Sequence, residues 1–277
     1  MKNIINNAKR FPLIVAEIGQ AHEGSVGLAH SFIDAIADCG ADAVKFQCHL
    51  SEFESSKYDK FRKKIRYLND RTRYDYWKRM EFSLEEWFKL KQHSENRGLT
   101  FLCSPFSTQA VDILNKIKIE AFKIGSGEVN NYELINHIAK TKKPIIFSSG
   151  LSYLDELSKS IDIVQKFHKK IAILYCVTKY PSKPKDIDLN KIIEIKNKFK
   201  LVTGFSDHSG SIYPSIGALT IGSNIIEIHV TFDKKMFGFD SSSSLNFSQL
   251  KDLIEARNII FEITNKKKNK EVNLDRM

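Results

Sequence analysis

A chain of 277 residues, 42% of them hydrophobic, has the length of one barrel-sized domain and enough apolar side chain to build its core. No apolar stretch approaches the roughly 20 residues that a bilayer demands. The formal charge of +10 has much of its excess in two places, 57–79 and 266–270, and forms no recognisable nucleic-acid module. The expectation is a cytoplasmic protein with neither a membrane nor a nucleic-acid partner, whose basic excess suits attraction of a small anionic substrate. Cys39, Cys48, Cys103 and Cys176 lie in or beside hydrophobic runs without CxxC pairing, which reads as packed, reduced thiols.

Strand and helix signals alternate along the chain. Strands are expected over 13–19, 43–47, 100–104, 121–124, 145–148, 171–177, 201–205 and 224–230, as β-branched apolar runs bounded by turn residues. Between and after them, helical spacing falls over 27–37, 84–97, 109–117, 132–141, 155–167, 189–199, 214–221 and 247–263. Eight such units predict an α/β fold, a (β/α)8 TIM barrel occupying 1–277 as a single domain. A long insertion at 49–80, crowded with Lys, Arg and Tyr, is expected to be either a substrate-facing loop or a solvated excursion, and 264–277 a polar Lys-rich tail.

Each apolar run stops on, or near, a polar group: Glu17, Lys45 and Gln47, Ser104, Lys123 and Ser126, Ser148, Tyr180, Asp207 and His208, and His229. In a TIM barrel the reactive groups gather where the strands end, so the pattern predicts an enzyme. Side chains alternate along a strand, which places Lys45 with Gln47 on one face and Glu227 with His229 on another. Two lysines inside a barrel require an anion, either a bound phosphate or carboxylate or an inward glutamate such as Glu17 or Glu128. His208 and His229, from neighbouring strands, could share a divalent cation with positions left open, or could be hydrogen-bonded core residues; His22 is a weaker site candidate. Ser126, Ser148 and Ser206 lie beside glycines or turns, where hydroxyls and backbone N–H groups can cradle phosphate, although such residues also make ordinary turns. Neither GxGxxG nor GxxxxGK[ST] is present, which argues against a dinucleotide or nucleoside triphosphate.

The segments AEIGQAHEG (16–24), GADAVKFQ (40–47), FLCSPF (101–106), FKIGSGE (122–128), FSSG (147–150), YCVTKYP (175–181), GFSDHSG (204–210) and IIEIHVTFD (225–233) together resemble the sialic acid synthase family, in order along the whole barrel. The resemblance implies condensation of phosphoenolpyruvate with an N-acetylated amino sugar such as N-acetylmannosamine, giving a nonulosonic acid. It further implies that Lys45, Ser104 and Lys123 hold the carboxylate region of phosphoenolpyruvate, with Ser126, Ser148, Thr178 and Ser206 around its phosphate. His208 and His229 would bind Mn2+ or Mg2+, while Glu17, Gln47, Glu128, Tyr180 and Asp240 face the sugar, Glu128 as the proton-transfer group. Carbon 3 of phosphoenolpyruvate would attack the open-chain aldehyde, water would capture carbon 2, and phosphate would leave by C–O cleavage.

The resemblance also implies a homodimer. Typical members add an antifreeze-like domain that lends an arginine to the partner's sugar site, and the expectation here is the barrel alone. Ile228, Ala21, Thr178 and Ser241 stand where the family usually has Lys, Asn, Asn and His, so the sugar half departs further from the pattern than the phosphoenolpyruvate half. Two other readings stay open: a lyase or aldolase using Lys45 or Lys123 as a Schiff base, and a non-catalytic barrel that binds a metabolite or a partner protein.

Overall fold

Runs such as LIVAEIG and AVKFQC are apolar on both faces, as strands buried between a barrel interior and a ring of helices must be. The computed structural model describes residues 4–61 and 67–265. Its strands are β1 (Leu13–Gly19), β2 (Ala43–Cys48), β3 (Thr100–Pro105), β4 (Ala121–Ile124), β5 (Ile145–Ser148), β6 (Ile171–Cys176), β7 (Val202–Asp207) and β8 (Ile225–His229). All eight pair in parallel, and β8 returns to β1 to close the barrel. The helices are α1 (Ile4–Ala8), α2 (Val26–Cys39), α3 (Ser51–Glu54), α4 (Arg73–Met80), α5 (Leu84–Asn96), α6 (Thr108–Lys116), α7 (Tyr132–Lys140), α8 (Leu154–Gln165), α9 (Asn190–Phe199), α10 (Tyr213–Thr220) and α11 (Phe247–Thr264).

The helix starts follow local chemistry. Ser25 accepts from the Leu28 N–H ahead of α2, and Ser83 with Glu86 and Asn246 with Gln249 form reciprocal capping boxes at α5 and α11. The apolar stripes of these helices pack on the outer faces of the strands, where Phe46, Phe101, Phe122, Phe147 and Phe205 are wholly buried. Inside the barrel a second apolar cluster fills the N-terminal half: Val15, Ala43, Leu102, Ala121, Ile146, Ala172 and Ile225. Helix α1 closes that end with Ile4, Ile5 and Ala8. The interior is therefore solid below, and only its C-terminal half is left for chemistry.

Three expectations change. Helix α1, ahead of the first expected strand, is an addition, being too short for its periodicity to register in the sequence. Strand β7 extends two residues beyond the expected end, to Asp207, and turns that side chain away from the mouth: Asp207 accepts from Ser215 Oγ at 2.7 Å and the Ser209 N–H at 2.8 Å, which anchors α10. The insertion is not a bare loop, because it carries α3 and α4, the latter begun by a Thr72–Asp75 capping box. Residues 62–66 of that insertion, and 266–277 of the expected tail, lie outside the described residues. All four cysteines are buried free thiols.

Candidate active site

The barrel register decides which side chains meet at the mouth. Glu17 on β1 is level with Lys45 on β2 and with His229 on β8, Gln47 is level with Ser104 on β3, and Ser206 on β7 is level with Glu227 on β8. Lys45 Nζ lies 2.5 Å from Glu17 Oε2 and 3.9 Å from Glu227 Oε1, and Lys123 Nζ lies 3.2 Å from the same Glu227 oxygen. Hydroxyls complete the ring: Lys45 donates to Ser104 at 3.4 Å, Lys123 to Ser148 at 2.7 Å, and Ser206 to Glu227 at 3.2 Å. Two ammonium groups and two carboxylates, all at most 5% exposed, thus satisfy one another at the floor of the open half. Burial pulls the Lys45 ammonium down, but Glu17 and then Glu227 outweigh it and carry its pKa above the ordinary value. Burial likewise pushes the Glu227 carboxyl up, yet Lys123 and Lys45 hold it well below the carboxylate range.

Above this floor stand the two imidazoles. His208 gives its Nδ1–H to the Val177 carbonyl at 2.8 Å, which turns Nε2 toward the Tyr180 hydroxyl at 3.2 Å. Its pKa falls to about 3, through burial and the neighbouring His229, so the ring is neutral and its lone pair available. The His208 and His229 ring centres are 5.5 Å apart, with Tyr180 stacked on His208 at 4.2 Å. His229 Nδ1 is buried with no hydrogen-bond partner among the described residues and has the Asp240 carboxylate 3.7 Å away. Gly19, at φ +55°, lets the chain bend against this ring: a Cβ there would sit 3.4 Å from His229 and 3.5 Å from Asp240. The neutral His208 imidazole, the unpartnered Nδ1 of His229 and the nearby Asp240 carboxylate are nitrogen and oxygen donors of the kind a divalent cation takes, although no three His, Cys, Asp or Glu among the described residues are gathered closely enough to form a ready-made cation site.

Three joined spaces open from the mouth. The inner chamber, about 70 Å³, is bounded by Lys45, Lys123, Glu227, both histidines and the hydroxyls of Ser104, Ser126, Ser148 and Ser206, and Glu17, Gln47 and Tyr180 also reach it. The outer pocket, about 470 Å³, shares Gln47, Ser126, Tyr180 and His229 with the chamber and adds Gln20, Asp240, Phe61, Tyr76, Trp77 and Phe239. A side groove of about 440 Å³ runs past Gln47 to His49, Glu54, Arg73 and Asn131.

Most of the residues singled out in the sequence meet in the inner chamber. Asp240 belongs to the outer pocket. Thr178 stands behind the chamber wall, bonded to Ser126 Oγ at 3.1 Å. Glu128 lines the side groove, where it accepts from Asn131 Nδ2 at 2.9 Å and burial raises its pKa. His22 is wholly buried, holds the Gly24 N–H at 3.0 Å and has a pKa lowered to about 3 by burial, which makes it a loop anchor.

Sequence reasoning missed two groups. Glu227 was noticed only as sharing a face with His229, although that alternation was the signal that it points inward. His49 lies two residues beyond Gln47 on the same alternation; its ring is held between Trp77 at 3.7 Å and Phe106 at 4.1 Å, with Nδ1 2.6 Å from Glu54 and Nε2 3.1 Å from Gln47 Oε1. Gln47 in turn donates to Glu17 at 2.7 Å, so one chain of contacts runs from the side groove to the ion cluster.

Known proteins share this arrangement of chain. Over 246 residues the protein is 36% identical to N,N'-diacetyllegionaminic acid synthase of Campylobacter jejuni, covering 87% of this chain and 74% of that one. It is 31% identical over 249 residues to human N-acetylneuraminate-9-phosphate synthase, covering 89% and 69%. The crystal structure of an N-acetylneuraminic acid (sialic acid) synthetase from Leptospira borgpetersenii superposes with a TM-score of 0.83 at 28% identity, over 96% of this chain and 93% of that one. Residues 32–269 match the NeuB family, a span that contains β2 to β8 and all but Glu17 of the inner-chamber residues named above, and the chain therefore belongs to the NeuB family.

Proposed function

We propose that this protein is a nonulosonic acid synthase, which condenses phosphoenolpyruvate with an N-acylated amino sugar and releases phosphate. The observation that carries the reading is the paired-lysine inner chamber beneath two adjacent imidazoles, in a chain of the NeuB family. A space of about 70 Å³ suits the phosphate and carboxylate of a small enol phosphate and excludes a sugar, which the outer pocket of about 470 Å³ can take.

In this reading Lys45, Lys123 and Ser104 hold the carboxylate region, and Ser126, Ser148 and Ser206 surround the phosphate, with Thr178 fixing Ser126 from behind. Lys123 has one donor beyond those directed at Glu227 and Ser148, and Lys45 can turn its long bond to Ser104 toward an incoming anion while keeping Glu17. Glu17, Gln47, Tyr180 and Asp240 orient the acceptor at the junction of the two spaces. Glu128 exchanges a proton with a sugar oxygen that reaches the side groove, and burial, which raises its pKa, favours the protonated form that can give one up. His208 and His229 would hold Mn2+ or Mg2+, which when bound supplies electrophilic polarisation of the acceptor aldehyde. Carbon 3 of phosphoenolpyruvate bonds to the aldehyde carbon, water adds at carbon 2, and the bond from carbon 2 to the bridging oxygen breaks to release phosphate. Holding both reactants in line is the chief service of the chamber. The protein acts as a cytoplasmic homodimer in this reading, which sedimentation analysis of the purified chain tests.

A Schiff-base aldolase gains little from the geometry, because Lys45 is held as an ammonium and an ammonium is no nucleophile. The test incubates the protein with phosphoenolpyruvate, Mn2+ and a panel of amino sugars, and measures phosphate and product mass. Acceptor-dependent phosphate release with a product heavier by the pyruvyl unit supports the synthase; trapping of a lysine adduct by borohydride, without phosphate release, contradicts it.

A further inference from the structure

At the closed end of the barrel, far from the mouth in the fold, the helix-to-strand connections carry charge of nearly one sign. Those leading into β4, β5, β6 and β7, residues 117–120, 141–144, 166–170 and 200–201, hold seven lysines and a single acid, Glu120. The segment 4–12 ahead of β1 adds Lys9 and Arg10 and no acid. Three of these connections are laced together through their carbonyls: Lys143 Nζ donates to Ile119 O at 2.8 Å, and Lys170 Nζ to Lys142 O at 3.3 Å. Burial lowers the pKa of Lys143, and Lys91, Lys118 and Lys170 press it down further against the one opposing charge, Glu120. Like charge is therefore crowded on this face without internal relief.

A hollow of about 180 Å³ opens beside these lysines, lined by the strand starts at Ile171 and Val202 and by the side chains of Lys9, Lys169 and Lys200. Asn224 also lines it and gives an Nδ2–H to the Ala8 carbonyl at 3.0 Å, which secures α1 alongside. The three lysines come from three separate pieces of chain, all are exposed, and none has a side-chain hydrogen bond or ion pair among the described residues. An ammonium on a four-carbon stem swings freely, so all three can close on one ligand in the hollow. Lys200 moreover holds a left-handed turn, φ +54°, where the turns before β2, β3 and β8 use Gly40, Gly98 and Gly222. A single carboxylate would balance one of the three charges, whereas two linked phosphoryl groups balance them together and offer several acceptor oxygens. The hollow shares no lining residue with the inner chamber, the outer pocket or the side groove.

We propose that the closed end of the barrel holds a second anion site, in which Lys9, Lys169 and Lys200 bind a diphosphate group. The group is inorganic diphosphate or the diphosphate of a larger molecule, and the chemistry recognised is the same in both. Once bound it bridges α1, β6 and β7, and so stabilises the folded chain. The site stands independently of the synthase reading.

The test is calorimetric titration and thermal unfolding of the full chain at low salt without divalent cations, with inorganic pyrophosphate and adenosine diphosphate as probes. The expected result is one site that raises the thermal midpoint, weakens steeply with added salt, and loses affinity about tenfold or more in Lys169→Gln/Lys200→Gln. Lys116→Gln/Lys251→Gln removes the same charge from exposed positions outside the hollow and should keep the affinity. Equal affinity for the two probes makes the diphosphate itself the ligand; tighter binding of adenosine diphosphate makes the ligand a larger molecule that carries it. Undiminished affinity in Lys169→Gln/Lys200→Gln, an equal loss in the control pair, or no binding of either probe at millimolar concentration overturns the proposal. None of these readouts uses synthase activity, so the failure of either reading leaves the other untouched.

Discussion

Glu227 is the residue on which the inner chamber turns, since one of its oxygens lies within reach of both Lys45 and Lys123. Glu227→Gln leaves two buried ammonium groups with the single carboxylate of Glu17. The expected loss is about 3 kcal/mol of stability, read as a lower urea midpoint, and adding Lys123→Met should recover part of it by removing the stranded charge. His49 is a second case. His49→Phe preserves the aromatic stack between Trp77 and Phe106 but deletes the bonds to Glu54 and Gln47; we expect kcat/KM to fall about tenfold as Gln47 loses its orientation toward Glu17, and stability to fall by about 1–3 kcal/mol because a buried Glu54 oxygen is left unpaired. Lys45 and Lys123 were legible in the sequence because a charge inside an apolar run is costly and calls for a partner. The identity of that partner was not, since Glu17 and Glu128 were equally available on paper and only the closed register brings Glu227 beneath Lys123.

At the scale of elements, the insertion after β2 forms one wall of the outer pocket, through Phe61, Arg73, Tyr76 and Trp77. Its helix α4 is tied down by Arg79, which pairs with Asp70 at 2.7 Å and Glu23 at 2.9 Å and presents its backbone oxygen to Gly24. Gly24 has φ +78°, and a Cβ there would come within 2.2 Å of the Arg79 carbonyl oxygen, so only glycine permits the contact. Arg79 is over one-third exposed, and Arg79→Ala should therefore cost at most about 1 kcal/mol. Its larger effect is expected on the acceptor, whose KM should rise severalfold while that for phosphoenolpyruvate stays put, because Tyr76 and Trp77 ride on the same helix. The eight strand–helix units could be read from periodicity and capping residues, but the role of 49–80 could not: its Lys, Arg and Tyr content describes a solvated surface as well as a pocket wall, and long-range packing against the β8–α11 connection decides between them.

For the whole molecule, buried histidines set the acid response. His22 and His208 both have folded pKa values near 3, below their ordinary 6.5, so the unfolded chain takes up protons that the folded chain refuses as pH falls below about 6.5. Glu120 acts oppositely, because burial raises its pKa to about 7 and the folded chain holds a proton that the unfolded chain releases. Burial lowers His30 and His168 as well, which acts with these two rings, and raises Glu23, Glu128 and Asp207, which acts with Glu120; the shifts of His22 and His208 are the larger, so stability should fall as the pH drops from 6.5 to 5. Urea midpoints measured with a chelator present, so that bound metal does not mask His208, should fall steadily across that window; a flat or rising midpoint would contradict the burial of these rings. The barrel itself follows from the order of apolar runs in the sequence, and its plugged lower half explains why all the chemistry is confined to one end.

The central claim, that an enol phosphate is held on Lys45 and Lys123 while its carbon 3 attacks an acceptor, is tested most directly with phosphoenolpyruvate labelled with 18O at the bridging oxygen. The account predicts phosphate release that requires an amino sugar, carries the label into the phosphate and is abolished in Lys45→Met and Lys123→Met. Label retained in the organic product, or release that proceeds equally well without an acceptor, would contradict it.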